Sequence, residues 1–235
     1  MTDVTRVYPE DEGGPPSAAI RAASLVVIRD GDGGLEVLML RRPPGGNFGG
    51  FWVFPGGKVD AADHSDDDTH DLEPYRRAAA REAVEECGLG IAAEELVTLS
   101  YWEPPPRAGT RFGTWFFTAR HPGHDIVVDG AEIVAFDWVR PFDGHQRRDA
   151  GDFDLAPPTW VTLQTLGRFA TVDEVLTRLG SLEAPPEYRT RLAKHDDATV
   201  AMWSGDAGYE PHDAAVPGAR HRLVMGATHR FEYGD

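Results

Sequence analysis

At 235 residues the chain is long enough to bury a substantial core. Its single cysteine, Cys87, excludes an intramolecular disulfide and with it a stapled secreted scaffold, so a reducing cytoplasm is the expected setting. The formal charge of −16, from 39 acidic against 23 basic residues, repels nucleic-acid backbones and anionic membranes, so neither is an expected partner.

Residues 1–17 are polar and rich in Gly and Pro and read as a flexible arm, without the basic and apolar regions of a signal peptide. No apolar run approaches the roughly 20 residues that span a bilayer. Ala22 to Ile28 and Leu35 to Leu40 read as strands joined by a Gly- and Asp-rich hairpin turn. A short strand, Phe51 to Phe54, stops at Pro55, Gly56 and Gly57. The acidic stretch from Asp60 to Leu72 reads as a loop. Pro74 then opens a helix that runs from Tyr75 through Cys87 to a stop at Gly88.

Strand candidates follow at Leu96 to Trp102, Arg111 to Ala119, Asp125 to Val128 and Ile133 to Val139, which makes a mixed α/β (α+β) core. Helices are expected at Thr159 to Phe169 and, from a capping box of Thr171 with Glu174, up to Leu179. A further short helical pattern surrounds Arg189 to Lys194, and Arg222 to Tyr233 returns toward strand. Residues 18–145 are thus read as the core and 146–235 as a mainly helical extension packed on it.

Glu82, Glu85 and Glu86 stand at i, i+3 and i+4, which places three carboxylates on one face of the helix. Their mutual repulsion is relieved by a hard divalent cation such as Mg²⁺ or Mn²⁺, or, in the plainer reading, by solvent alone. The preceding Gly56 and Gly57 let backbone approach a ligand closely and leave a carbonyl free to coordinate.

The run Arg81-Glu82-Ala83-Val84-Glu85-Glu86-Cys87-Gly88-Leu89 resembles the REUxEExGU part of the Nudix box, where U is aliphatic. The family pattern places a Glu eight positions before the Arg, where Glu73 stands, and a Gly six positions before that Glu. Gly57 lies 16 positions before Glu73, which implies a ten-residue insertion between the two. The resemblance implies a mixed β-sheet sandwiched between helices and hydrolysis of a diphosphate linkage in a small nucleotide-containing metabolite. It also implies Gly57, Glu82, Glu85 and Glu86 as metal ligands, and Arg81 as the residue that orients a glutamate. Glu82, Glu85 and Glu132 are candidates for the base, and Glu132 also reads as an ordinary turn residue. Nucleoside-diphosphate-sugar and dinucleotide hydrolysis, or a non-catalytic nucleotide-binding module, are the alternatives. The retained box carboxylates favour an enzyme.

The long loop after FPGG, the strand Arg111 to Phe117 and the stretch Leu155 to Phe169 resemble the peroxisomal-type coenzyme A diphosphatases and their bacterial relatives. Gly46 stands where that branch has a second Arg. Arg41, Arg42 and Arg111 are candidates for substrate binding, with solvent-facing charges the other reading of Arg41 and Arg42. Trp102, Phe112, Trp115, Phe116 and Phe117 stack on a base or fill the core. His64, His70 and the other histidines lack metal-ligand spacing, and His221 with Arg222 is expected on the surface, with contact to a ligand the other reading. Residues 155–180 are expected to pack against the core and shape the substrate pocket, or else to build a homodimer interface.

Overall fold

A computed structural model describes residues 18–45, 48–68, 70–106 and 110–234; the expected arm at 1–17 and Gly46 lie outside them. Strands β1 (Ile20–Gly31) and β2 (Gly34–Arg41) form an antiparallel hairpin closed by Asp32 and Gly33, with Gly31 opposite Gly34. The central run of β1 is buried on both faces, because alternate residues serve two separate cores. Val26 and Ile28 enter one hydrophobic cluster, and Ala23, Leu25 and Val27 the other.

The main sheet is mixed. β1 runs parallel to β6 (Phe112–Arg120), which pairs antiparallel with β5 (Val97–Glu103), while β3 (Trp52–Val53) and β7 (Ala135–Val139) both pair with β2. β4 (Gly56–Lys58) lies antiparallel to β1, with Gly57 opposite Ala23.

Helix α1 (Glu73–Cys87) covers one face through Tyr75, Ala78, Ala79, Ala83 and Cys87 and ends at Gly88, whose φ of 72° places it in the left-handed region. The other face is covered by α2 (Pro141–Asp149), α3 (Pro157–Leu166) and α4 (Val172–Gly180), with Trp160, Leu163, Val172 and Val175 buried in its cluster. The fold is therefore α+β, with the sheet between helical layers. At the start of α4, Thr171 accepts from the Glu174 N–H, while Glu174 reaches the Ala170 N–H instead of completing the expected box.

Two local expectations are corrected. Asp125 to Val128 is not a strand: the N–H groups of Val127 and Asp129 are taken up by the Cys87 and Glu86 carbonyls at the end of α1. The helical pattern at Arg189 to Lys194 gives way to β8 (Glu187–Arg189) and β9 (Arg191–His195). β8 finds the open edge of β5 and joins the main sheet in parallel, Trp102 opposite Tyr188. β9 pairs with β10 (Ala198–Met202), which continues through β11 (Arg220–Met225) and β12 (Arg230–Gly234) as a four-stranded antiparallel sheet. Sheet, not helix, thus follows α4.

That second sheet shares a hydrophobic cluster with the first: Trp203, Leu223 and Met225 are buried together with Val26, Val139 and Trp160. Arg222, expected on the surface, is buried and gripped by Asp206 through Nε at 2.7 Å and Nη2 at 2.6 Å. The pairing satisfies two charges that burial would otherwise penalise.

Candidate active site

The site forms where β4 passes the middle of α1. Gly56 and Gly57 are required there by close approach. A Cβ on Gly57 would sit 2.2 Å from Glu82 Oε1, and one on Gly56 would sit 2.5 Å from the Ala23 carbonyl oxygen. The Gly56 N–H donates to Glu86 Oε2 at 2.9 Å, so the buried Glu86 side chain is anchored on the glycine turn.

Burial pushes the Glu86 carboxyl up to about 7; Glu82 and Glu132 add to this, while the Gly56 N–H and Arg42 oppose it. Glu82 is raised too, again by burial first, with Arg81 opposing. Two neighbouring carboxyls thus bind a proton more readily than free ones, chiefly because they are withdrawn from water.

Arg81 organises this face. Its Nη1 donates to Glu82 Oε1 at 2.9 Å and to Glu85 Oε2 at 3.1 Å, and its Nη2 donates to the Lys58 carbonyl at 3.0 Å. The buried Asp63 carboxylate accepts from Nε at 3.2 Å and from Nη2 at 3.0 Å and is the main reason the guanidinium is held above its ordinary pKa. Asp63 is fixed in turn as the end of a 3₁₀ turn, Ala61–Asp63, where its Oδ2 accepts from the Asp60 N–H.

Asp63 was not singled out in the sequence, although a signal was present. It stands six positions after Gly57, the spacing the family gives its first box acid, and Glu73 does not. Eighteen positions then separate Asp63 from Arg81 where the family has eight. The ten extra residues therefore fall after Asp63, between the loop and the helix.

A cleft of about 640 Å³ opens over this face. Glu82, Glu85, Arg81, Gly57 and Glu132 line one side, and Phe54, Trp102, Phe112 and Phe116 line another. Phe117 is core instead, and Trp115 packs partly buried on the α1 side. Glu132 is 67% exposed, with Oε2 3.8 Å from Arg42 Nη2, and its position is set by Asp129, which accepts from the Glu132 and Ile133 N–H groups.

Of the candidate arginines, Arg42 lines the cleft. Arg41 is exposed at the end of β2, away from the cleft lining. Arg111 is 7% exposed and donates through Nη2 to Glu103 Oε1 at 2.5 Å, behind the lining residue Glu103. The start of α3 reaches the cleft through Ala156, Pro158 and Thr159, whereas α4 does not.

These residues fit a divalent cation in their chemistry: hard oxygen donors, two with raised proton affinity, beside a glycine cradle that a Cβ would fill. Among the described residues no three His, Cys, Asp or Glu side chains stand together in ligand geometry, and Arg81 bridges Glu82 and Glu85.

The fold thus sets a glutamate helix and a glycine turn against one cleft of a mixed sheet that lies between helical layers. A family model described as the NUDIX domain matches residues 19–157, more than half of the chain. The chain belongs to the Nudix family and is a Nudix pyrophosphohydrolase, of a family that acts on nucleoside diphosphate derivatives and generally uses divalent metal ions.

Among solved structures, a Nudix hydrolase from Alicyclobacillus acidocaldarius is similar at 25% identity and a TM-score of 0.60, over 68% of this chain and 96% of that one. A Nudix hydrolase from M. smegmatis, RenU, matches at 23% identity and 0.47, over 75% of this chain and 98% of that one. The NUDIX domain of Shewanella oneidensis NrtR, solved with ADP ribose, matches at 18% identity and 0.49, over 72% of this chain and 98% of that one. No curated protein sequence matches the chain. Among the described residues no helix is long and apolar enough to cross a membrane.

Proposed function

We propose that the protein hydrolyses the diphosphate linkage of a nucleotide-containing metabolite, coenzyme A or acyl-coenzyme A, with Mg²⁺ or Mn²⁺ held by the Gly57 carbonyl, Glu82, Glu85 and Glu86. The observation that carries the reading is the pair Glu86, buried and anchored on the Gly56 N–H, and Glu82, half-buried and held by Arg81, in a structure whose cleft joins the glutamate face to an aromatic wall. Support for coenzyme A comes from Ala156, Pro158 and Thr159, which line the cleft and belong to the stretch that resembles the coenzyme A diphosphatase branch.

Held at these carboxylates, a divalent cation would supply charge neutralisation and Lewis acidity. The chain's own residues do the remainder. Arg42 at the cleft wall offers a planar cation to a phosphate oxygen. Phe54, Trp102, Phe112 and Phe116 present apolar surface to the base or acyl portion and exclude water there.

Arg81 holds Glu82 and Glu85 in register on one side while Asp63 fixes Arg81 on the other. Glu82 and Glu85 are both tied to Arg81. Glu132, exposed at the cleft and 3.8 Å from Arg42, is the lining carboxylate best able to accept a proton from the attacking water. The single cysteine is buried, as suits a reducing cytoplasm.

Incubation of purified protein and Mg²⁺ or Mn²⁺ with coenzyme A, acyl-coenzyme A, ADP-ribose, NADH and diadenosine compounds tests the reading. A diphosphate-cleavage product from coenzyme A at the highest kcat/KM supports it. Preference for another nucleotide sinks the coenzyme A part, and cleavage of none sinks the whole.

A further inference from the structure

A second cleft, of about 720 Å³, shares no lining residue with the first. It lies at the start of α1, between β5 and the end of α4. One wall is built by His70 of the inserted stretch, and the other by Leu179, Leu182 and Pro185, beyond the 19–157 span of the family match. Between these additions the cleft is floored by the shared core, which supplies Arg76 and Arg77 together with the carboxylates Glu73 and Glu94.

Arg76 lies half-buried in this cleft, stacked 5.1 Å from the centre of the Phe117 ring. Its Nη2 donates to Thr98 Oγ1 at 3.0 Å, and among the described residues it makes no ion pair. A guanidinium carries five N–H donors in a fixed plane, so this one has donors left for an acceptor brought by a ligand. Burial lowers its pKa, opposed by Glu73 one turn back. Leu179, Leu182 and Pro185 offer apolar surface opposite it, and a cavity of this volume suits a small organic molecule.

Arg77, beside Arg76 in the same lining, leads toward the active site. Its Nε donates to the Asp63 carbonyl at 2.6 Å, and its Nη2 pairs with Asp68. Asp63 in turn grips Arg81, which holds Glu82 and Glu85. A ligand carboxylate near Arg77 competes with Asp68 for the guanidinium and loosens the segment that carries Asp63.

We propose that this second cleft binds a small organic anion with an apolar body, a carboxylate amphiphile, and that its occupation alters the loop 60–68 that positions Arg81. The site is independent of which substrate is cleaved. The probe is octanoate, with octylammonium as the control of equal tail and opposite charge. Calorimetry is expected to show octanoate binding and no octylammonium binding, with Arg76→Met and Leu182→Glu each weakening octanoate about tenfold or more. Hydrogen exchange over residues 60–68 is expected to rise with octanoate in the wild type and not in either variant. Leu182→Glu keeps the test decisive if Arg76→Met fails to fold. Equal binding of both amphiphiles, binding untouched by a folded variant, or binding that leaves exchange over 60–68 unchanged would each overturn the proposal. All these readouts are independent of turnover, so a failed substrate screen does not bear on them.

Discussion

Asp63 and Arg81 meet through two hydrogen bonds, Nε to Oδ1 at 3.2 Å and Nη2 to Oδ2 at 3.0 Å, which tie the loop after β4 to the glutamate helix. Because Arg81 spends its other amino group on Glu82 and Glu85, loss of the Asp63 carboxylate frees the guanidinium to reorient. Asp63→Asn is expected to lower kcat by about ten- to a hundredfold, the usual scale for a residue supporting ligand side chains. A smaller change in KM, with circular dichroism unchanged, separates this from misfolding. Wild-type kcat would show that Asp63 does not position Arg81.

Gly57→Ala is expected to abolish most turnover while the sheet survives. The added Cβ would lie 2.2 Å from Glu82 Oε1, closer than any real contact, so the carboxylate must leave its place. Gly90→Ala is the control, since a Cβ there meets nothing within 4 Å. Comparable activity losses in both variants would argue against a special role for the glycine turn.

Glu86→Gln is expected to lose most activity with the fold intact. The amide oxygen of Gln can still accept the Gly56 N–H, but the ligand charge is gone. Circular dichroism and turnover at saturating Mg²⁺ decide it, and near-wild-type turnover would remove Glu86 from the site.

The second sheet carries a pH dependence. Arg148, from α2, donates through Nη2 to His229 Nε2 at 3.1 Å, so that nitrogen is the unprotonated one. Burial first, then the Arg148 charge, pushes His229 down to about 3. Above the unfolded value near 6.5 both states are neutral and the group contributes no pH dependence. Below it the unfolded chain takes up a proton that the folded one refuses, so stability falls with a slope approaching ~1.4 kcal/mol per pH unit until about pH 3. His145 and His221, also lowered by burial, act in the same direction. Urea denaturation at pH 7 and pH 5 should show a smaller drop for His229→Gln than for the wild type. An equal drop would contradict the assignment.

If the core stood without residues 140–235, truncation after Val139 would test whether 155–180 governs substrate choice. The tertiary structure changes the expected outcome. Trp160, Leu163, Trp203 and Leu223 share a cluster with Val26, Ile28 and Val139, and β8 covers the edge of β5. The truncated chain is expected to lose cooperative unfolding and expose apolar surface, seen as dye binding and loss of near-ultraviolet dichroism. A folded, active truncation product would show the two sheets to be separable.

The glutamate helix, its glycine stop, the first hairpin and the strands flanking them were legible in the sequence because their signals are local: i, i+3 and i+4 carboxylates, a Pro start, a Gly end, alternating apolar residues. Long-range pairing was not. Asp63 matters through an arginine eighteen positions away, and only the fold brings the two together. Residues 189–194 have a helical pattern of their own, yet the open edge of β5 and the partner strand β10 offer backbone hydrogen bonds that local propensity cannot foresee. Arg222 looks like a surface charge until Asp206 closes over it. Residue spacing along one helix determines which side chains share a face. Which of those faces is buried, and against what, is decided by contacts between segments distant in sequence.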